Sequence, residues 1–522
     1  MNYKQGGICM ELKVTKEKIS STEVIFSETY EQSVELDYIL PDYLPEMFKI
    51  LKCIAVPNII SYDVSNDKLI YEMVVNIRIL YCSENSNAVH VIEQKLVYSK
   101  KVDLEKNCIN PDVSIIPHIN YMNCRAVNQR RIDVRGAVST DVTISDIISN
   151  EVITDVSGGN VYLKKTSVVY PSDHIKNNRI VTVSDEFNLG SSKPPVVNII
   201  RSSAVITSSD KKIIANKVIA KGEICVNMLY THCENGIETM QFTIPFSQVI
   251  DMDGVDERFV SSVNMDIISC EIVPRSNGDG IAENVECNVK INVICSAYRT
   301  TASDLAIDEY STMYKATDER IAVKVELPPK EMNNNCVIKS TISASEEELE
   351  CIYDAWCTVK NFTVHNNSEN KSIIINGNAD YCIIGKNANG SPIIYEHEEP
   401  FTAEFSVEHI SDSSIVNIKL IPVSCSYNLT TDSIVEIKAE LKVIGHIKNV
   451  AVIQGITDIF VNEDSPLEKK QKYALKIYYT DENEDLWEIA KKYGTSVNAI
   501  IEENEIEDNI ILNNKMLLIP IV

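Results

Sequence analysis

Four short landmarks recur in the same order three times before residue 465, at a spacing near 150. The first is an apolar run closed by a turn: 69–87, 218–236 and 373–390. The second is the return run after that turn: 89–104, 237–252 and 391–407. The third is a cysteine in a similar local setting, Cys124, Cys270 and Cys425, at offsets of 146 and 155. The fourth closes each copy: VITDV (152–156), AIDEY (306–310) and GITDIF (455–460). Repetition at a fixed period means several copies of one structural unit. Units of roughly 120–150 residues are large enough to hold a core of their own.

The internal period of these units is that of a β-strand. In 434–445, Val435, Ile437, Ala439, Leu441 and Val443 alternate with Glu436, Lys438, Glu440 and Lys442, which puts one face in a core and the other in water. Val289, Ile291 and Val293 repeat the pattern. Asn235-Gly236 and Asn389-Gly390 sit between paired runs, as hairpins require. Two stretches, 40–53 and 343–356, read as short helices preceding a sheet, the second opening on a capping box from Ser345 to Glu348. The expected fold class is mainly β: three diverged, sandwich-like repeats at 30–165, 166–315 and 316–465, behind a lead-in at 1–29. A small βααβ module follows at 474–522.

Charge and composition restrict function. A formal net charge of −26 argues against sequence-independent nucleic-acid binding, which needs Lys and Arg against phosphates, while a basic protein partner is compatible. No apolar run suits a signal peptide or a membrane span, so insertion in a membrane is not expected. Fifteen cysteines without a C-x-x-C pair read as reduced small hydrophobes of a cytoplasmic protein. Residues 1–9 show no pattern of their own, which leaves Met1 and Met10 both open as the start. The eight histidines never fall within five residues of one another. No phosphate-binding, zinc-protease or nucleophile-elbow motif is present. Catalytic residues, metal ligands and cofactors are not expected.

Near residue 475 the period changes from 2 to 3.6. After the strand 474–480, Leu486, Ile489, Ala490 and Tyr493 fall on one helix face. Asp485 suits the N-cap with Glu488 three residues on, and Gly494 suits a left-handed exit. Thr495 or Ser496 caps a second helix carrying Val497, Ile500 and Ile501, and 515–522 closes the module as a strand. These residues resemble the LysM family, above all at Leu486, Trp487, Ile489, Ala490, Tyr493, Gly494, Val497, Asn504, Leu518 and Pro520. The resemblance implies a shallow groove for N-acetylglucosamine glycans. Its walls would be the loop Asp481, Glu482, Asn483, Glu484 and Asp485, and the loop carrying Asp508, Asn509, Ile510 and Asn513. This chain departs from the family in that groove. Carboxylates and Asn483 replace the usual Pro-Gly-Asp-Thr, and residues 477–520 hold ten Asp and Glu against three Lys. A neutral sugar gains little from such charge, whereas a basic protein surface gains encounter rate and register.

Repeats followed by a LysM module resemble the SPOCS-domain spore coat proteins of anaerobic spore-formers. That resemblance implies a non-enzymatic scaffold in the mother-cell cytoplasm, at the forespore surface. It also implies that the LysM module binds the coat basement-layer ATPase, with other coat proteins as further contacts. The alternative is a peptidoglycan-binding wall or cortex protein.

Overall fold

The computed structural model describes residues 12–521, apart from 66, 84–85, 105–107, 109–110, 191, 233–235, 279–280, 344–347, 432–433, 468–473, 507–509 and 512–514. The first repeat holds β1 (Lys13–Ile39), β2 (Lys49–Ser65), β3 (Lys68–Ser83), β4 (Ser86–Asp103), β5 (Asp112–Asn128) and β6 (Arg131–Ser157). The second holds β7 (Val161–Asn188), β8 (Asn198–Ile214), β9 (Lys217–Thr231), β10 (Ile237–Asp251), β11 (Val260–Ser276) and β12 (Ala282–Ser311). In the third, the first and last strands are each split in two. They give β13 (Tyr314–Glu326) with β14 (Lys330–Ser343), and β19 (Ile434–Lys448) with β20 (Val450–Pro466). Between them run β15 (Leu349–Asn367), β16 (Ser372–Asn387), β17 (Pro392–Ser406) and β18 (Ile415–Thr431).

The connectivity is the same three times. A meander sheet (β2-β3-β4, β8-β9-β10, β15-β16-β17) faces a second sheet (β1-β6-β5, β7-β12-β11, β14-β19-β18). Side chains from both sheets of a pair fill one core between them, which is a sandwich. The apolar members of the alternating runs are its filling: Val435, Ala439, Leu441, Val443, Val289, Ile291 and Val293 are all fully buried. The four sequence landmarks fall on corresponding strands. These are β3, β9 and β16; then β4, β10 and β17; then Cys124, Cys270 and Cys425 on β5, β11 and β18; and last the ends of β6, β12 and β20.

The two short helices do not form. Residues 41–48 are irregular, broken by Pro41 and Pro45, and the segment is pinned by Leu40 N–H to Arg130 O and Met47 N–H to Gln129 O, both 2.8 Å. Residues 349–356 lie in β15, hydrogen-bonded along β16. Cross-strand pairing overrides a weak helical pattern. Ser345 lies outside the described residues, and Glu348 is exposed coil.

The long strands do more than build sandwiches. β1 runs unbroken from Lys13, so residues 13–29 pair along the C-terminal half of β6. Likewise the first half of β7 pairs with the second half of β12, and β13 pairs with β20. Three two-stranded legs result, and they pack on one another. Ile19, Val152, Val168, Tyr170, Leu305, Val323 and Val325 form one buried cluster, with Ile453 packed against it, so every leg strand contributes. A bulge recurs at residues 154, 307 and 457 of the three legs. Counting from it, Val152, Leu305 and Gly455 are counterparts. Gly455 makes room for the first, since a Cβ there would stand 2.9 Å from Val152 Cγ1.

An ion pair follows the bulge in each leg, and the three run in cyclic order. Lys165 reaches Asp155 of the preceding leg at 3.0 Å, Arg320 reaches Asp308 at 2.7 Å, and Lys16 reaches Asp458 at 2.7 Å. The first leg thereby meets the third, and the ring closes.

Candidate functional site: the C-terminal module and its seat

The module is built as its periodicity requires. β21 (Leu475–Tyr479) precedes a two-residue strand, β22 (Glu484–Asp485). Helices α1 (Leu486–Tyr493) and α2 (Val497–Asn504) follow, then β23 (Ile510–Ile511) and β24 (Met516–Pro520), which pairs antiparallel with β21. Asp485 caps α1 by accepting from Trp487 N–H at 2.9 Å, and Gly494 ends the helix at φ 66°. Ser496, rather than Thr495, caps α2, accepting from Ala499 N–H at 3.1 Å. Asn504 ties α2 to the closing strand: its amide donates to Leu518 O and its oxygen accepts from Leu518 N–H, at 2.6 and 2.7 Å. Leu486, Ile489, Ala490, Ile500, Leu517 and Ile519 are fully buried between these elements.

The pairing of β22 with β23 sets Glu484 opposite Ile511 and Asp485 opposite Ile510, so the two loops named from the sequence meet. Asp508, Asn509 and Asn513 lie outside the described residues. Within the first loop the residues divide. Glu484 is engaged at home, accepting from Tyr478 O–H at 2.7 Å and from Asp481 N–H at 3.1 Å. The Glu484 carboxylate beside it, with burial, pushes the Tyr478 phenol up to about 12. Asp481, Glu482 and Asn483 are exposed at the tip. Asn483 sits at φ 60°, a left-handed conformation that Asn tolerates well among non-glycine residues. The loop thus keeps a glycine-like backbone turn while adding a side chain to the groove.

The module is not a free tail. Tyr310, on the second leg, belongs to its apolar cluster and stands edge-on to Trp487, with ring centroids 4.8 Å apart. The Tyr310 hydroxyl donates to Thr495 O at 2.7 Å, and Tyr162 stacks behind it at 5.4 Å. The Trp487 indole N–H donates to Asp308 at 2.7 Å, and Lys491 reaches the same carboxylate at 2.8 Å. Lys164 reaches Asp485 at 2.6 Å. Burial alone would raise the Asp308 carboxyl, but hydrogen bonds from Lys491, Trp487 and Arg320 prevail and hold it down at about 2. Its neighbour Glu309 is pushed the other way, to about 7, chiefly by burial and then by the charge of Asp318.

Sequence reasoning placed the acidic loop and the helix caps but missed this seat. Tyr310 and Asp308 were visible only as part of a landmark closing the repeat. Nothing in a linear pattern links them to a helix about 180 positions later. Trp487 is a core residue, 7% exposed, with its polar edge engaged by Asp308.

Residues 46–127 and 195–273 match the SPOCS domain of the SipL family, and residues 481–520 match the LysM domain. The chain carries SPOCS and LysM domains. No curated protein and no solved structure matches it. Each SPOCS segment begins in the irregular loop before the meander sheet and ends on the edge strand β5 or β11. In both, a buried tyrosine holds that loop. Tyr81 O–H donates to Pro45 O at 3.2 Å, and Tyr230 O–H donates to Pro194 O at 3.1 Å. In the third repeat the counterpart of these tyrosines, opposite Ile352 in β15, is Gly385. A Cβ there would stand 2.3 Å from Cys351 O, and the side chain of Leu349 fills the place. The strand order is retained and the tyrosine is not.

SPOCS and LysM families are non-catalytic, and together they point to a sporulation coat protein with a LysM module of the kind that binds glycans. Among the described residues, no helix is long and apolar enough to cross a membrane. No group of three or more His, Cys, Asp and Glu side chains among them is arranged to hold a metal ion.

Proposed function

We propose that this protein is a non-enzymatic scaffold of spore coat assembly, placed in the mother-cell cytoplasm at the forespore surface. Its LysM module docks on a protein, the basement-layer ATPase of the coat, and its three repeats form the mount. One observation carries the preference for a protein ligand: the groove loop presents Asp481, Glu482 and Asn483 to solvent where sugar recognition calls for a bare backbone. Exposed carboxylates raise the encounter rate with a basic surface and are screened by salt. The third repeat, 316–465, is read as a SPOCS-like unit that lacks the anchoring tyrosine. The contact loops are 481–485 and 508–513.

The LysM match favours a second reading, retention on N-acetylglucosamine polymers. The full-length chain decides between them when offered to insoluble peptidoglycan and to mother-cell lysate over a salt titration. The scaffold reading expects capture of the ATPase, weakening by roughly tenfold or more as salt rises across the range that screens exposed charges. Strong, salt-insensitive retention on peptidoglycan with no ATPase captured contradicts it. Because Tyr310 of the second leg completes the apolar cluster around Trp487, the whole chain is the proper bait.

A further inference from the structure

The three leg ends share one backbone pattern, yet the LysM module sits on only one of them. After the common bulge, the aspartates 155, 308 and 458 are counterparts, and each is engaged by the cation of the following leg. What differs is the surrounding chemistry. Across the ladder from Asp308 stands Lys164; in the same place the first leg has Thr15 and the third has Glu319. Two residues beyond the aspartate stands Tyr310, against Ser157 and Phe460, and its partner across the ladder is Tyr162, against Lys13 and Thr317. The aspartate acceptor is common to all three legs, but among the described residues only the second leg adds a hydroxyl aimed at Thr495 O and a cation beside Asp485.

We propose that this seat is an intramolecular latch. Lys164 occupies Asp485 as a cation of a bound partner would, and the leg covers the Trp487 edge of α1, so that face is masked until a basic ligand displaces it. The latch rests on the reading of the acidic loop as a contact for basic ligands. Two of the five loop residues are spent internally: Glu484 on Tyr478, and Asp485 on a lysine 321 positions away. The seated state therefore presents only the loop tip, and the unseated state presents Asp485 and Trp487 as well.

The swap Lys164→Thr with Tyr310→Ser gives the second leg the side chains that the first leg carries at the same places, so the leg retains a combination this fold already accommodates. It leaves Asp308 and its pair with Arg320 untouched. The full-length chain is used, with Trp356→Phe so that Trp487 is the sole indole. The swap is expected to shift Trp487 emission to the red, to raise its quenching by acrylamide several-fold, and to tighten binding of a short poly-lysine peptide by fivefold or more. Tyr310→Phe alone, which removes one hydrogen bond, is expected to move both readouts in the same direction by a smaller amount. It serves as the test should the swap fail to fold. Emission and quenching unchanged in both variants would overturn the latch. Emission shifted with peptide affinity unchanged would overturn masking, and the module would then be rigidly mounted, the acidic-loop reading standing. No peptide binding by either form, seated or released, would overturn both.

Discussion

The packed axis of the three legs and the seat of the LysM module lie a few residues apart on the same strands, and they obey different rules. At the axis, all three copies converge. Ile153, Ala306 and Ile456 are fully buried counterparts, and Val152 and Leu305 are fully buried beside Gly455, whose missing side chain leaves the space Val152 uses. Just past the bulge the copies diverge into Ser157, Tyr310 and Phe460, and only the tyrosine carries a partner module. A close-packed interior couples every copy to the others, because a methyl group gained or lost is felt by all its neighbours. A surface seat is free of that coupling, so one copy can acquire a docking surface while the others keep the common frame.

The sharpest way to break the comparison is at the axis. Gly455→Val forces a branched side chain against Val152 and is expected to cost about 2–3 kcal/mol, the usual penalty of overpacking. Thermal or denaturant unfolding followed by far-UV circular dichroism reads it. A loss well under 1 kcal/mol would show that the legs do not share one packed core.

A smaller effect sharpens the seat side. Glu309 is 6% exposed and its Oε2 has no hydrogen-bond partner, with Asp318, Lys491, Asp308 and Arg320 as the charges around it. Its folded value, near 7, lies above the ordinary glutamate value, so the folded state holds the proton more tightly than the unfolded chain. That contribution is complete below about pH 4.5 and is lost as pH rises through 7. The stability difference between the wild type and Glu309→Gln should therefore move against the wild type by about 2 kcal/mol from pH 5 to 8. His90, His174 and His446, all lowered by burial, drift the opposite way. They are common to both proteins and cancel in the difference. A pH-independent difference would place Glu309 in contact with water.

Much of this architecture is legible in the sequence, and the reasons are local. Alternation at 434–445 and 287–298 reports burial directly, because a strand shows one face to the core. Asp485, Gly494 and Ser496 announce helix ends, because caps satisfy backbone groups left open there. The failures are non-local. Residues 349–356 carry a helical-looking pattern, and only the neighbour β16 makes them a strand. The ring of Lys16, Lys165 and Arg320 needs three legs brought together before any pair exists. At the candidate site the loop 481–485 is readable because each change adds a side chain or a charge to a known loop pattern. The seat is not, since Lys164, Asp308 and Tyr310 acquire meaning only from α1 docked over them. The structure also refines which loop charges are available. Glu484 supports the loop through Tyr478 and Asp481, so reversing it would disturb the turn itself, whereas Asp481 and Glu482 are exposed.

The most direct measurement is co-purification of the coat ATPase with full-length protein carrying Asp481→Lys and Glu482→Lys. If those carboxylates are the contact, ATPase recovery at low salt falls by at least tenfold, while the melting temperature and tryptophan emission stay those of the wild type. Undiminished recovery with the two charges reversed would mean that the loop is not the surface by which this protein holds its partner.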